Sequence, residues 1–330
     1  MSAASGVLLL IGFGASAYAV LGGADFGAGL WWATTARRGR ARERELLSRA
    51  IGPVWEANHV WLIFTVIATL SAFPAAYADL SRRLQVPIAV GLAGIVIRGA
   101  GFVFATAGAQ RWAAPFAAAS VVTPFAWGVA LGDIAAGREH PVAGGFGAAF
   151  PLAAGALAVS VSGYLAAVFL AAGAGRLGFP WLVDTYRWRA LATGTLSGVL
   201  AIATAILGGA AAPGLHQGRA AVFIAVSATA GVAGLVLLWS RRFGAARLAA
   251  SAAAASVVWG WAAAQYPLLV PPRLTVAAAA APPAAVHATL AVTVGGLALT
   301  LPALAMLFRT FGRELTGEHA APASGDTAVG

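Results

Sequence analysis

The chain has no cysteine and no lysine, and charged residues make up only 10% of its 330 positions. Without cysteine there can be no disulfide, no thiolate metal site and no cysteine nucleophile. All 21 basic residues are arginines. Together with the abundant alanine, this reads as coding bias rather than as chemistry. The shortage of charge excludes more. A soluble domain carries about 25% charged residues because its surface must be hydrated. This chain is 60% hydrophobic, with a mean hydropathy of +0.82, and cannot cover such a surface. It reads as an all-α polytopic membrane protein. The net charge of +10 would suggest nucleic acid in a soluble protein. Here the arginines sit between apolar runs, where they set topology, and no nucleic-acid partner is expected.

A spanning helix needs about 20 mostly apolar residues. That ruler gives nine candidate spans, at roughly 6–32, 51–77, 84–106, 112–134, 148–172, 190–212, 220–239, 245–269 and 284–308. The first apolar run lacks a basic segment before it and reads as a span, not a signal peptide. Arginine placement checks the count. With the N-terminus outside, the inner loops hold Arg37, Arg38, Arg40, Arg42, Arg44, Arg49, Arg111, Arg176, Arg187, Arg189, Arg241, Arg242, Arg247, Arg309 and Arg313. The outer loops hold Arg82, Arg83, Arg138, Arg219 and Arg273. This excess obeys the positive-inside rule, with the C-terminus inside. Residues 1–316 form one transmembrane domain, and residues 317–330 a polar, disordered cytoplasmic tail. The segment from Arg37 to Arg49 reads as a short surface helix or as a solvated loop. Pro267, Pro271, Pro272, Pro282 and Pro283 make the last outer connection stiff and non-helical. No internal repeat is evident.

Against this background a few polar residues stand out, because ionisable groups in hydrocarbon are expensive and mark interiors, partners or water paths. Asp25 lies about 7 residues, or roughly 10 Å, from the inner end of the first span. Glu56 in the second span and Arg98 in the third share that depth. Glu56 and His59 are three apart and face one side of a helix, with Asn58 slightly around. The group can be read as a lock holding three helices together, or as a proton path opening inward. One arginine cannot neutralise two carboxylates, which favours the path. His287 reads as a structural hydrogen-bonding residue rather than a haem ligand. Asp79 and Asp133 fall at outer helix ends, where charge is cheap. Gly22, Gly23, Gly27 and Gly29 imply close helix packing, since no strand precedes them as a nucleotide-binding loop would need.

At these residues the chain resembles subunit II of cytochrome bd-type quinol oxidases. The family's first-helix pattern, Asp-Gly-Phe-Asp-(Leu/Met)-Gly-x-Gly, is matched from Gly22 to Gly29, with Asp25 as its second acid. Gly22 and Ala24 replace its first acid and its Phe. The second-helix pattern, Pro-x-Trp-(Asp/Glu)-x-Asn-(Gln/His)-Val-Trp-Leu, is met in full from Pro53 to Leu62. Arg98-Gly99 with Phe102 and Phe104 is similar to the third-helix pattern, although Val103 and Ala105 replace its acid and its last Arg. Tyr266-Pro267, Pro271 and Leu274-Thr275-Val276 match a stretch near the end.

The resemblance implies two four-helix bundles with a peripheral helix. It implies a non-haem subunit in a bacterial plasma membrane, partnered by a haem-bearing subunit I that holds haem b and haem d. The complex would oxidise quinol and reduce O₂, with this chain binding no cofactor. Small single-span subunits and membrane lipid are further candidate partners. The expected proton path is Asp25, Glu56 and His59, supported by Asn58, Trp55, Trp61 and Arg98. An ion-coupled secondary transporter using Asp25 and Glu56, or a purely structural scaffold, are the competing readings.

Overall fold

The computed structural model describes residues 2–35, 41–51, 55–137, 145–176, 178–211 and 218–317, with the side chains of 41, 50–51, 55–57, 210–211, 304 and 307–317 excepted. The sequence gives helices almost throughout because its polar backbone can be satisfied within each segment, as hydrocarbon requires. The first expected span is two α-helices, α1 (Ala3–Ala17) and α2 (Gly23–Trp32), joined by a π-helical turn over Tyr18–Gly22. A short helix α3 (Ala41–Ile51) follows, then α4 (Trp55–Ala72) and α5 (Pro74–Arg83). The long helices are α6 (Gln85–Thr106), α7 (Ala113–Ala136), α8 (Ala149–Arg176) and α9 (Pro180–Ala211). They continue with α10 (Gly218–Trp239) and α11 (Phe243–Gln265). A hairpin of β1 (Leu268–Val270) and β2 (Leu274–Thr275), paired antiparallel, leads through α12 (Val276–Ala279) to α13 (Pro283–Gly317).

Among the described residues, eight helices are long and apolar enough to cross a membrane, and Asn58–Ala72 forms a shorter apolar helix. The chain is a multi-pass membrane protein. Its outward faces agree: Val96, Ile206, Val292 and Leu299 are each at least 70% exposed, as side chains meeting acyl chains must be. Two boundaries differ from expectation. The second span was expected to run unbroken to residue 77, but Phe73 leaves helical geometry (φ −137°, ψ 59°) and Pro74 starts α5. Proline disfavours helical geometry in the residue before it, and its own missing N–H is harmless at a first helical position. The sixth span was expected from 190, whereas α9 starts at Pro180. Hydropathy finds where lipid begins, and a helix need not stop there.

Packing is tightest where α2 meets α7 and α8. A Cβ built on Gly27 would lie 1.9 Å from the carbonyl oxygen of Ser162, and one on Gly29 would lie 2.0 Å from Ser120 Oγ. Close approach is the means by which membrane helices associate, since lipid offers no hydrophobic drive. A main apolar cluster runs from α2 and α3 through α7, α8, α9 and α11, including Trp31, Trp32, Leu46, Leu47, Phe116, Leu165 and Leu182. A second gathers Val7, Phe73, Val270, Val276 and Val286 around the hairpin, at the opposite end of the molecule from α3.

The contact at Gly27 is with backbone and cannot yield by a rotamer change. Gly27→Ala is therefore expected to cost roughly 1–3 kcal/mol through overpacking. Gly173→Ala on α8, where nothing lies within 4 Å, is the matched control and should be near neutral. Thermal inactivation of the two purified variants in detergent checks this, and equal loss in both would refute the close-approach account.

Candidate functional site

Arg98 on α6 is 1% exposed, so every donor it carries needs a protein partner. Its Nη2 donates to Asp25 Oδ1 at 2.7 Å and to the backbone oxygen of Asp25 at 3.0 Å. Its Nε donates to Ser120 Oγ on α7 at 3.2 Å, while that hydroxyl donates to the Phe116 carbonyl at 2.7 Å. The guanidinium lies between the rings of Phe26 and Phe116, with Cζ 5.2 Å from each centroid. Three helices thus meet on one cation, and α8 closes the fourth side through Gly27. The sequence left open which carboxylate Arg98 would choose. The choice is Asp25. Its second oxygen, Oδ2, has no hydrogen-bond partner among the described residues.

The α4 residues approach the same centre from the other side of α2. The His59 ring lies 6.0 Å from Tyr18 and 6.1 Å from Phe26, and is close enough to feel the charges of Asp25 and Arg98. Asn58 is buried and donates from Nδ2 to the Leu21 carbonyl at 3.3 Å. That carbonyl belongs to the π-helical turn over Tyr18–Gly22. Asn58 therefore fastens α4 to the kink just ahead of Asp25. Trp61 is buried and packs edge-on against Phe13 of α1 at 5.6 Å. Glu56 stands one turn before His59 in the first turn of α4. The side chains of Glu56 and Trp55 lie outside the described residues, so the structure does not test their place in the site.

A second buried acid was missed. Of the two readings of the segment from Arg37 to Arg49, a short surface helix and a solvated loop, the helix is found over Ala41–Ile51 as α3, but Leu46, Leu47 and Glu43 in it are buried. Tyr186 donates from its hydroxyl to Glu43 Oε1 at 3.1 Å, and Arg189 forms an ion pair with the same oxygen. Arg189 also donates to Thr34 Oγ1 at 3.0 Å and lies over the Trp31 and Tyr186 rings, 4.9 Å from each. Arg44 closes the end of the first span by donating to the Thr35 carbonyl at 2.9 Å. The signal available was the Glu43-x-x-Leu46-Leu47 spacing, which puts the acid and two leucines on one helix face. Asp133 is also buried, at 2% exposure, and not at a cheap outer edge. His287 is exposed, with Nδ1 bonded to the Pro283 carbonyl at 2.7 Å, the local structural bond expected. No group of three metal-ligating side chains occurs among the described residues.

Removing one member of a buried ion pair typically costs about 3–5 kcal/mol, because the other charge stays buried alone. Arg98→Gln should therefore sharply reduce the yield of folded protein. Asp25→Asn combined with Arg98→Gln should recover part of it, and Ser120→Ala should cost only about 1 kcal/mol. Monodisperse yield and thermal inactivation read all three. A double variant no better than Arg98→Gln alone would show that the pair is not the stabilising unit.

Comparison with known proteins identifies the family. A model of the cytochrome bd terminal oxidase subunit II family matches residues 4–311. Cytochrome bd ubiquinol oxidase subunit 2 of Bacillus subtilis (strain 168) is 38% identical over 84 residues, 26% of this chain and 24% of that one. Cytochrome bd-I ubiquinol oxidase subunit 2 of Escherichia coli (strain K12) is 32% identical over 135 residues, 39% of this chain and 34% of that one. The aligned segments thus span about a quarter to a third of these relatives. The structure of bd oxidase from Geobacillus thermodenitrificans contains a chain of the same fold, with a TM-score of 0.81 over 94% of this chain and 99% of that one, at 21% identity. With its helices in the same arrangement and the family model running almost end to end, this chain belongs to the cytochrome bd terminal oxidase subunit II family.

Proposed function

We propose that this chain is the non-haem subunit II of a quinol:O₂ oxidoreductase in a bacterial plasma membrane. It supports a haem-bearing subunit I and conducts protons from the cytoplasm through Glu56, Asp25 and His59. Haem b and haem d belong to the partner in this reading and would supply the electron transfer from quinol to O₂. The observation that carries the proton role is the half-satisfied carboxylate of Asp25. Arg98 occupies Oδ1, and Oδ2 has no hydrogen-bond partner among the described residues. A carboxylate oxygen has lone pairs for a proton or for water. O₂ reduction consumes protons, and drawing them from the cytoplasm makes the reaction generate a membrane potential. Glu56, one turn before His59 on α4, supplies a second acid, and a single arginine cannot neutralise both.

The direction of uptake rests on orientation. We read the eight long helices and α4 as nine spans. The 18 residues of α4 give about 27 Å of helix at 1.5 Å each, close to the hydrocarbon thickness of about 30 Å. The arginine excess then places α3 in the cytoplasm and the hairpin outside.

Two experiments test these statements. In the assembled complex, Glu56→Gln keeps shape and hydrogen bonding but cannot titrate. It should slow oxygen consumption by tenfold or more while the haem spectrum is unchanged, a loss of the size expected when a proton-transfer group is removed, about 10²–10⁴-fold at the upper end. Asp25→Asn also leaves Arg98 without its counter-charge and should lower the yield of assembled complex, so it is read as turnover per haem, which should fall similarly or more weakly. Full turnover and full charge separation in proteoliposomes for both variants would make the cluster structural. For orientation, the cysteine-free chain permits clean labelling. A cysteine in place of Ser2 should react with an impermeant thiol reagent in intact cells, and one in place of Ser324 should not. Reversed labelling would invert the topology.

A further inference from the structure

The arginines at the α3 end of helices α8 to α11 fall into two groups. Three have protein partners. Arg187 donates to the Leu238 carbonyl at 2.9 Å and the Trp239 carbonyl at 3.1 Å, closing the last turn of α10. Arg189 engages Glu43, and Arg241 pairs with Asp184 Oδ1 at 2.8 Å. The side chains of Arg176, Arg242 and Arg247 have no carboxylate or hydrogen-bond partner among the described residues. Arg247 is half-buried, with its guanidinium over the Phe169 ring at 5.0 Å. Phe169 lies two turns before Arg176 on α8, and the Arg176 charge bears on Arg247. Two cations therefore lie along the α8–α11 contact, with no carboxylate paired to either among the described residues. Such a pair offers a site for an anion.

The depth of the pair says which anion. Trp181, Trp188 and Trp239, at the same end of these helices, are 48%, 56% and 63% exposed. Exposed tryptophans in a membrane protein sit at the headgroup level, where an apolar ring and a polar N–H are both accommodated. Leu248, next to Arg247 in sequence, is 75% exposed and faces outward as a lipid-contacting residue would. Guanidinium forks match the oxygens of phosphate in pairs. We propose that Arg176 and Arg247, flanked by Arg242, bind the phosphate of an anionic membrane phospholipid whose acyl chains run along the α11 surface beside Leu248. The site is separate from Asp25 and Glu56, and it does not depend on the proton path.

The test uses the protein purified from its own membrane with its partners, in mild detergent. Phosphatidylglycerol is titrated against phosphatidylcholine, and retained lipid is counted by mass spectrometry. Each arginine near an anionic lipid surface contributes about fivefold in affinity, so Arg176→Gln with Arg247→Gln should weaken phosphatidylglycerol retention by about 25-fold. Arg176→Gln alone changes an exposed side chain and leaves packing intact, and it should lose about fivefold. Arg247→Lys keeps the charge and should retain most of the lipid. Competition by inorganic phosphate at millimolar concentration would make the site one for free phosphate and overturn the lipid assignment. Equal retention of both lipids by the native protein, or unchanged retention in the variants, would overturn the proposal outright.

Discussion

A guanidinium group inside hydrocarbon has no water to hydrate it, and that constraint organises the interior of this protein. Arg98 is almost wholly buried, so its charge and its N–H groups must all be met by protein. Asp25 meets the charge, Ser120 takes the Nε proton, and the faces of Phe26 and Phe116 stand where solvent would be. These partners come from α2 and α7, which fixes how both helices sit against α6. The glycines follow from the same demand. Ser120 can reach the arginine only because Gly29 offers no side chain, and α8 can close against α2 only because Gly27 offers none. The stripe of small residues and the buried ion pair are one arrangement seen from two sides.

The π-helical turn over Tyr18–Gly22 extends that arrangement to α4. A regular helix would have run straight past Asp25 with its carbonyls internally bonded. The Leu21 carbonyl in this turn accepts from Asn58, and π-turns occur often at functional sites. One amide thus holds the start of α4, on which Glu56 and His59 stand, in register with the acid on α2.

Much of this was legible in the sequence, and the reasons are specific. Asp25 and Arg98 stand out because charge in an apolar run is rare, and counting at 1.5 Å per residue placed them at one depth. Counting could not choose between Asp25 and Glu56, because the choice depends on how α6 crosses α2. Glu43 was hidden for the opposite reason. Its neighbours are charged, so nothing in composition marks it as buried, and only the packing of α3 under Tyr186 and Arg189 takes it out of water. Asp133 lies at a helix end, yet it is buried by the chain that returns over it near Gly145, whose added Cβ would sit 3.0 Å from the Asp133 Cβ. Span ends read from hydropathy mark the limits of lipid, and the start of α9 at Pro180 shows how far a helix can continue beyond them.

The two buried acid–arginine pairs share more than their chemistry. In each, an arginine meets a carboxylate with an aromatic ring on either side, Phe26 and Phe116 around Arg98, and Trp31 and Tyr186 around Arg189. Phe26 and Trp31 both belong to α2, five residues apart. This ten-residue helix therefore carries Asp25, one wall of the inner pair and one wall of the pair at the α3 face. Glu43 grips the end of the first span through Arg189 and Thr34, and Arg44 grips it through Thr35. The contacts of α3 therefore end on the segment that continues from α2, the helix that carries Asp25. The surface helix is thereby tied by packed contacts to the helix that carries the buried acid.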